Sequence, residues 1–486
     1  MKKLLCLLLV CCMLPVFAAC AGDDQPSPDD SSGEQTAGGS VADQTEEEPY
    51  YLETLPDNGY GEDVFRIMTI AGNIPLEANA FKSVVAKALY ERDVALEDYY
   101  SIGIEYTTMQ NDTSALADMR TAVQGGSGTF HAFITNAERL MTLAAEGLTE
   151  DLNNVENLSM EREWWNQSLN RNCSINGKLY CSAGPYSEYF YHAAFCLAYN
   201  KTMVSGFGMN DLYTLVLSGD WTLDAMYSMC TDYGVTQDNG DGVWDEKDRY
   251  SIAAFQVGMY GLFAGAGGNF SVTSDTGEIE IGLRSEESQR IIEKIISVFN
   301  SDSVKSDSVY NNYRESANLF TSGNALFLYT STGYINDYLP SSQIDYGIIP
   351  LPKYDSNQTS YISCAWPASN FCVSVPTGKK PIQQAFTGLM LEAYCFLSYE
   401  IVRPVKYDSV LKFQVFHDPT ASELLDLIFQ TLYFDLNLVF DFGGSRTLVS
   451  DTIRKNTLGE YVSGYDGIVG EITDDINRIL HPGQTD

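Results

Sequence analysis

The chain has 486 residues, of which 44% are hydrophobic and 12% are aromatic, so it has enough apolar material to form sizeable cores. It carries 65 acidic residues against 29 lysines and arginines, for a formal net charge of −36. This acidity excludes a nucleic-acid-binding protein, because such binding depends mainly on Lys and Arg. It also opposes the steering of an anionic ligand by the overall field of the protein.

The N-terminus has the pattern of a secretory signal over residues 1–19. Two lysines precede an apolar run at 4–17, which is shorter than the roughly 20 residues that span a bilayer. The sequence FAAC at 17–20 resembles a bacterial lipobox. We therefore expect a lipoprotein that is acylated on Cys20, for example with palmitate, and held at the outer face of the cell membrane. The alternative is a secreted protein that is cleaved at Ala-x-Ala and keeps Cys20 as a spare thiol.

Residues 20–58 are predicted to be a disordered acidic tether. The stretch 21–49 contains no Lys, Arg or aromatic residue, and Val41 is its only branched aliphatic residue. Such a composition cannot bury enough apolar surface to offset the entropy that is lost on ordering. The roughly 430 residues that follow exceed the usual size of one domain, so two domains or lobes are expected.

Strands and helices alternate in the first part of the folded region. The apolar pattern predicts strands at 65–70, 102–107 and 132–135, and helices at 79–99, 116–123 and 136–148. This alternation indicates parallel β-α-β units and therefore an α/β fold. Because ligands bind at the carboxyl ends of parallel strands, the turns at 71–74 and 135–138 are predicted to line a cleft.

The later part of the chain continues with a mixed pattern of strands and helices. Thr222 and Ser285 stand where helix N-caps are expected. Strands are predicted at 189–199, 251–255, 325–329, 346–349 and 371–375, and helices at 381–399 and 421–433. No internal repeat of the length that builds solenoids is present in the sequence.

Seven cysteines lie beyond the signal and Cys20. They are Cys173, Cys181, Cys196, Cys230, Cys364, Cys372 and Cys395. An odd number cannot all pair, and no CxxC motif indicates a zinc site. Their apolar sequence contexts predict buried free thiols, although export to an oxidising compartment would permit disulfides.

Four stretches resemble the extracellular solute-binding proteins of ABC importers, in the family that includes the maltodextrin-binding proteins. They are GKLY at 177–180 with LAYNK at 197–201, DLYTLV at 211–216 with GDWTLD at 219–224, FTSGNA at 320–325 with DYGIIPLP at 345–352, and YDSVLK at 407–412 with ELLD at 423–426. The form of the second stretch is common in Gram-positive members. Each motif is short, and it is their order and spacing together that carry the resemblance.

The resemblance implies an α/β, two-lobed periplasmic-binding-protein-like fold of type II, with a hinge between the lobes. The first lobe is expected to comprise 59–185 and about 318–376, and the second 186–317 and about 377–482. Such a protein captures a solute by closing its lobes and delivers it to the membrane subunits of an ABC permease. No bond is made or broken, so we do not expect an enzyme.

Sugars or oligosaccharides are the expected solutes, because the resembled family mostly serves them, while peptides and other solutes stay open. Sugar-binding clefts use aromatic faces and a few placed polar groups. The candidate ligand-binding residues are Trp366, Tyr186, Tyr189, Asn136, Asn73, Tyr260 and Asn269. For each of these residues, packing within the protein is the alternative interpretation.

The segment 237–248 resembles an EF-hand calcium loop. Its candidate ligands are Gln237, Asn239, Asp241, the Val243 carbonyl, Asp245 and Asp248, and Gly242 takes the sharp turn. Gln237 stands where Asp is usual and Asp248 where Glu is usual, and both changes weaken such a site. The sequence thus leaves two interpretations, a structural calcium site and a solvated turn, and it indicates no other cofactor.

Two other classes of function compete with transport-linked solute binding. An enzyme has little support, because the four histidines form no HExxH motif and the chain has no GxSxG elbow. A scaffold or sensor lipoprotein with the same fold but without a permease is the second alternative. The sequence does not distinguish it from a transport protein, whereas neighbouring permease genes would.

Overall fold

A computed structural model describes residues 49–70, 83–109, 114–126, 128–255, 258–274, 277–299, 304–306, 313–369, 371–415 and 419–483. The chain divides into two units between Asp57 and Asn58. In the described part of the first unit, Tyr51–Thr54 form one helical turn, α1. The predicted tether of 20–58 is therefore wrong for these residues, because Tyr51 and Leu52 end the polar composition on which the prediction rested.

The first sheet lies at the centre of one lobe of the second unit. Its strands are β1 Val64–Ile70, β2 Gly103–Met109, β3 Ala132–Asn136, β4 Ser182–Ala183 and β13 Phe371–Ser374. They are arranged in the order β2-β1-β3-β13-β4. β1 pairs in parallel with β2 and β3, whereas β13 runs antiparallel to β3 and β4. The predicted strands near 65, 102, 132 and 371 are all confirmed as elements.

The helices that accompany this sheet complete the first lobe. They are α2 Val84–Tyr100, α3 Ala115–Gln124, α4 Ala137–Ala145, α5 Gln167–Asn172 and α13 Pro381–Leu397. Side-chain caps fix where two of them begin. Ser83 accepts a hydrogen bond from the Ala86 amide at α2, and Asn136 accepts one from the Arg139 amide at α4.

The second sheet forms the core of the other lobe. Its strands are β5 Phe195–Asn200, β6 Tyr250–Ala254, β9 Val304–Ser306, β10 Ala325–Ser331 and β11 Tyr346–Ile349, in the order β11-β5-β10-β6-β9. The central strand β10 is parallel to β6 and antiparallel to β5. All of its residues are buried, as expected for a strand that is covered on both faces.

Most of the remaining helices pack in the second lobe, whereas the helix Leu436–Phe440 contacts α4 of the first. They are α6 Lys201–Gly206, α7 Leu212–Leu217, α8 Leu223–Thr231, α9 Tyr260–Gly265, α10 Glu286–Phe299, α11 Tyr313–Thr321, α12 Thr332–Tyr338, α14 Pro419–Gln430, α15 Leu436–Phe440, α16 Ser445–Lys455 and α17 Leu458–Leu480. α14 contacts β11, and α16 contacts α10. The predicted caps are confirmed, because Thr222 accepts from the Ala225 amide and Ser285 from the Ser288 amide.

Short elements complete the fold. The 3-10 helices are Leu152–Asn154, Glu188–His192, Gly282–Arg284 and Phe442–Gly444, and π-helical turns extend α13 at Ser398–Val402 and Pro404–Val415. Two small sheets pair β7 Val272–Thr273 with β8 Ile279–Glu280, and β12 Ser363–Cys364 with β14 Leu432–Tyr433.

The strand pairing corrects the expected lobe boundaries. We expected 318–376 in the first lobe, but β10 and β11 are hydrogen-bonded to β5 in the second sheet, and of the described strands in this segment only β13 joins the first. We expected 377–482 in the second lobe, but α13 packs against α2. Hydrophobic periodicity shows that an element is buried and does not show which sheet it joins, so the sequence did not assign these segments.

The stretch 381–412 is the one part of the described chain with the length and apolar composition of a membrane-spanning helix. Of its most apolar window, 83% is buried inside the protein. Phe386 and Leu389, on α13, are fully buried. We therefore interpret this stretch as a core helix of the first lobe. The seven cysteines of the folded region are also buried, as predicted.

Candidate functional site

Two segments cross between the sheets and run side by side. One is 184–194, which leads from β4 to β5, and the other is 365–369, which leads from β12 towards β13. The Trp366 amide donates to the Ala193 carbonyl at 2.7 Å, and Ala194 and Ala365 form an antiparallel bridge. These bonds fix the crossing segments to one another.

Trp366 is the centre of an aromatic surface next to the crossing segments. Its ring centroid is 5.9 Å from Phe195, 5.3 Å from Phe255 and 5.8 Å from Tyr334. Phe195 and Phe255 are buried, whereas Trp366 and Tyr334 are half-buried, and Tyr338 stacks on Tyr334 at 5.9 Å. We call Trp366, Tyr334 and Tyr338 the Trp366 surface. It offers accessible ring area on a support of buried rings.

Tyr189 and Asn136 lie on the first-lobe side of the crossing. The Tyr189 ring stacks on Phe371 with centroids 4.5 Å apart, and Phe371 is the strand partner of Asn136 in the β3–β13 ladder. Asn136 is buried and its side-chain oxygen already accepts the Arg139 amide, so its NH2 group is the part left for a solute. Tyr189 and Asn136 therefore lie close to one another through Phe371. Their contact with a solute, like that of Trp366, stays a prediction.

A buried cation lies behind this region. The Lys406 ammonium is 3.0 Å from His192 Nε2 and 3.6 Å from the Glu188 carboxylate, and Lys406 is only 2% exposed. Burial and the neighbouring ammonium lower the pKa of His192 to about 3, so the imidazole is neutral and accepts a hydrogen bond from Lys406 at Nε2. The His192 ring in turn packs edge-on against Tyr189 at 5.5 Å. The cluster therefore fixes the orientation of Tyr189.

Tyr186 is a core residue of the first lobe, which corrects its prediction as a ligand contact. It is 2% exposed, and its hydroxyl donates to the Ser182 carbonyl at 2.6 Å. Its ring packs within 6.4 Å of Trp165 and Tyr394, and burial raises the pKa of the hydroxyl well above its usual value. No face of the ring is open to a solute in this conformation.

Tyr260 is likewise a core residue, in the second lobe. It is 4% exposed and packs edge-on against Phe195 at 5.6 Å and Phe270 at 6.4 Å. The Arg446 guanidinium lies 5.9 Å from its ring centroid. An aromatic residue beside a Gly-rich stretch is compatible with a core or with a cleft. Tyr260 belongs to the core, so its prediction as a ligand contact is corrected. The candidates Asn73 and Cys20 lie outside the described residues.

Asn269 lines a polar cavity of about 720 Å³. The walls come from the first lobe at 171–177, from the second lobe at 269–274 and Gly277, and from 433–435. The residues that line it include Arg171, Asn172, Asn269, Ser271, Tyr433 and Asp435. The volume lies within the range of about 300–1,000 Å³ that is typical of small-molecule sites.

Asp435 holds the second-lobe wall of this cavity in place. Its carboxylate accepts hydrogen bonds from the Leu438 amide at 2.6 Å, the Ser271 hydroxyl at 3.1 Å, the Phe270 amide at 3.1 Å and the Tyr433 hydroxyl at 3.2 Å. Burial raises the pKa of Asp435 to about 6, although these hydrogen bonds oppose the increase. Because its acceptor positions are engaged, Asp435 acts as a brace between 269–271 and 433–438.

Sequence reasoning missed most of this cavity. Arg171 and Asn172 end a short helix that the apolar pattern did not reveal, and single polar residues at such a place carry no distinguishing signal. Asp435 did have one, because an Asp before the apolar residues Leu436 and Leu438 is the pattern of a helix N-cap. That signal would have predicted a helix that begins at Leu436, directly after Asp435.

The loop 237–248 is closed by its own hydrogen bonds. Asp248 accepts from the Asn239 amide at 2.8 Å and the Asp245 amide at 2.5 Å, and the Gln237 side-chain oxygen accepts from Arg249 at 2.6 Å. The Asp241 carboxylate accepts from an amide of the loop at 2.8 Å. Among the described residues, no group of three or more His, Cys, Asp or Glu side chains is placed to hold a metal ion. Calcium binding by this loop stays a prediction.

Comparison with solved structures shows the fold. The chain is similar to a cyclo/maltodextrin-binding protein complexed with maltotetraose, with a TM-score of 0.56, 15% identity, and coverage of 86% of this chain and 96% of that one. An ABC substrate-binding protein from Listeria monocytogenes, in complex with cycloalternan, gives a TM-score of 0.52 at 14% identity over 86% and 98% of the two chains.

The GacH receptor of Streptomyces glaucescens, known without ligand and with acarbose, also gives a TM-score of 0.52, at 13% identity over 86% and 98% of the chains. The predicted two-lobed fold is thus confirmed. No curated protein sequence matches the chain significantly.

The sequence itself matches one family model. Residues 93–391, more than half of the chain, match the model described as bacterial extracellular solute-binding protein. The members of this family are binding proteins that work outside the cytoplasm, in agreement with the expected fold and location. The chain belongs to the bacterial extracellular solute-binding protein family.

Proposed function

We propose that this protein is the substrate-binding lipoprotein of an ABC importer, and that it captures a sugar or oligosaccharide by hinge closure and delivers it to a membrane permease. The observation that carries the proposal is the Trp366 surface next to the crossing segments. Accessible aromatic rings on a rigid support bind the apolar C–H faces of sugar rings.

The structural neighbours support a carbohydrate solute. Those proteins bind maltotetraose, cycloalternan and acarbose, respectively. These three ligands are oligosaccharides or their analogues. Because the identities are low, the neighbours support the class of solute and do not select one sugar.

Closure of the two lobes follows from the way the chain crosses between them. A solute that contacts both lobes binds more tightly to the closed arrangement, and it therefore shifts the population of conformers towards closure. In the proposed scheme the closed form docks on the permease, and the lipid on Cys20 keeps the protein near the membrane. The protein itself makes and breaks no bond.

Thermal unfolding of the mature protein against a panel of mono- and oligosaccharides tests the proposal. A ligand that binds the folded state raises the unfolding midpoint, and it adds about 2.7 kcal/mol of stability at 100 times its dissociation constant. We expect a selective shift with one glycan. A shift with peptides alone would overturn the carbohydrate assignment, and no shift with any solute would favour a scaffold or sensor lipoprotein.

Replacement of Trp366 localises the effect. We expect Trp366→Ala to weaken binding of the selected glycan by about tenfold or more, which corresponds to about 1.4 kcal/mol. Trp244→Ala is the matched control, because Trp244 is 50% exposed on the loop 237–248, away from the crossing segments. Equal affinities of the two variants and the parent would show that the Trp366 surface does not bind the solute.

A further inference from the structure

The polar cavity presents unpartnered groups from both lobes. Arg171, in the last turn of α5, and Asn269, which follows α9, both line it and are both exposed. Among the described residues neither side chain has a hydrogen bond or an ion pair, although the protein has more than twice as many acidic residues as basic ones. An arginine without a carboxylate partner in so acidic a chain is available for a ligand.

The remaining groups of the wall limit the chemistry of that ligand. The Asp435 carboxylate is occupied by five hydrogen bonds, including one from the Ser271 amide at 3.4 Å, so it offers little to a cation. Asn172 donates its NH2 group to the Phe434 carbonyl at 2.9 Å, which leaves its carbonyl oxygen as an acceptor. The cavity therefore presents the guanidinium of Arg171, a donor, and side-chain amides that both donate and accept, beside the hydroxyls of Ser174, Thr273 and Ser274.

Such a set of groups suits a polyhydroxylated solute. A guanidinium donates to two neighbouring oxygens at once, and side-chain amides can pair with hydroxyl groups in either direction. A hydrophobic ligand would leave these polar groups without partners, and burying them unpaired costs free energy. The volume of about 720 Å³ also exceeds what a bound ion needs.

The cavity is connected with the Trp366 surface through the β12–β14 ladder. Cys364 is the strand partner of Tyr433, and the Ala365 amide donates to the Tyr433 carbonyl at 3.1 Å. Tyr433 lines the cavity, and Trp366 is the next residue after Ala365. One short ladder thus joins the backbone of the cavity wall to the segment that carries Trp366.

We propose that this cavity is the polar subsite for the solute, where the Arg171 guanidinium and the Asn269 amide bind hydroxyls of one sugar unit from opposite lobes. The inference rests on the proposed function and adds the residues that bridge the two lobes. Because Arg171 belongs to the first lobe and Asn269 to the second, a sugar unit that contacts both stabilises their approach.

Calorimetric titration of the mature protein tests the subsite. The probes are three neutral glycans, maltotetraose, cellotetraose and xylotetraose, and one acidic glycan, trigalacturonate. For the glycan that binds, we expect Arg171→Ala and Asn269→Ala each to weaken affinity by about tenfold or more, or about 1.4 kcal/mol. Tighter binding of trigalacturonate than of the neutral glycans would identify a carboxylate as the partner of Arg171, and the reverse would identify hydroxyls.

Matched controls separate the subsite from general effects. Arg290 is exposed on α10 and Asn210 is exposed before α7, and neither lines the cavity. Arg290→Ala and Asn210→Ala should bind like the parent, and thermal unfolding verifies that all four variants are folded. Binding by the parent with no loss in Arg171→Ala or Asn269→Ala overturns the subsite and leaves the proposed function standing. No binding of any probe by the parent overturns both.

Discussion

The guanidinium of Arg446, on α16 of the second lobe, donates a 2.8 Å hydrogen bond to the carboxylate of Glu138, in the first turn of α4 of the first lobe. Arg446 also lies 3.3 Å from Asp441, and α15 contacts α4 beside this pair. The ion pair therefore joins the lobes directly, at the carboxyl end of β3.

Removal of this pair should favour the open arrangement. Because Glu138 is partly exposed, we expect Glu138→Gln to cost about 1 kcal/mol, which shifts the open-to-closed ratio roughly fivefold. Small-angle scattering of the ligand-free protein measures the change as a larger radius of gyration. Arg284→Gln is the control, since Arg284 pairs with Asp466 at 3.0 Å within the second lobe. Identical scattering of all variants would contradict the prediction.

A buried charged cluster at α2 should be a strong determinant of stability. Arg92 is fully buried, its Nε donates to Asp93 at 2.6 Å, and its guanidinium lies 3.8 Å from the Tyr394 ring centroid. The Tyr106 hydroxyl donates to the other Asp93 oxygen at 2.8 Å. Arg92→Met should destabilise the protein by about 3–5 kcal/mol, because it leaves a buried carboxylate without its cation.

Urea unfolding measures this loss, and two further variants test its cause. Arg92→Met with Asp93→Leu should recover much of the stability, because it removes both charges together. Lys87→Met should change stability by no more than about 0.5 kcal/mol, since the Lys87–Glu91 pair on the same helix is exposed. If the double variant is as unstable as Arg92→Met, the loss of stability comes from the lost packing of the Arg92 side chain and not from the unpaired charge of Asp93.

The sequence predicted the fold class and most elements because these follow from local pattern. The buried strand β3 and the amphipathic helix α10 have the periodicity of their secondary structure, and Thr222 and Ser285 are caps with a local mechanism. The lobe that an element joins does not follow from its local sequence. β10 joins the second sheet through partners far away along the chain, at β5 and β6.

The same distinction explains the outcome at the site. Trp366 and Tyr189 lie on the crossing segments and are half-buried. Tyr186 and Tyr260 have similar sequence contexts, but they are buried. Whether an aromatic ring faces a core or a cleft depends on neighbours such as Trp165 and Phe270, which the sequence does not reveal. Arg171 likewise lines the cavity because segments that are far apart in sequence come together there, which its local sequence does not reveal.

The stability of the protein should depend on pH through His131. This residue is 1% exposed, and its Nδ1 accepts a hydrogen bond from the Arg66 amide at 2.9 Å. Burial, with Lys379 and Arg66 nearby, lowers its pKa to about 3, against about 6.5 in the unfolded chain. The unfolded chain therefore binds more protons between these values, and stability falls as the pH falls through this window, by up to about 1.4 kcal/mol per unit.

Chemical denaturation of the parent and of His131→Asn between pH 7 and pH 4.5 measures this contribution. Asn keeps an acceptor for the Arg66 amide but does not titrate, so the variant should lose less stability on acidification. His481→Asn is the control, because His481 is exposed near the C-terminus. The prediction fails if the parent and His131→Asn have the same slope of unfolding free energy against pH.

The packing of α13 depends on the absence of a side chain at Gly388. A Cβ atom there would overlap the Glu156 carbonyl oxygen and lie 3.0 Å from Val155 Cγ1, so helix and loop backbones approach each other directly. Gly388→Ala should destabilise the protein by about 1–3 kcal/mol or more, since the obstacle is backbone that cannot rotate away. Gly470→Ala, on the exposed face of α17 with no atom within 4 Å of the new Cβ, should instead stabilise by up to about 1 kcal/mol. Thermal unfolding of the two variants distinguishes a steric requirement at Gly388 from the general helix preference for Ala over Gly, because the preference alone would raise both midpoints.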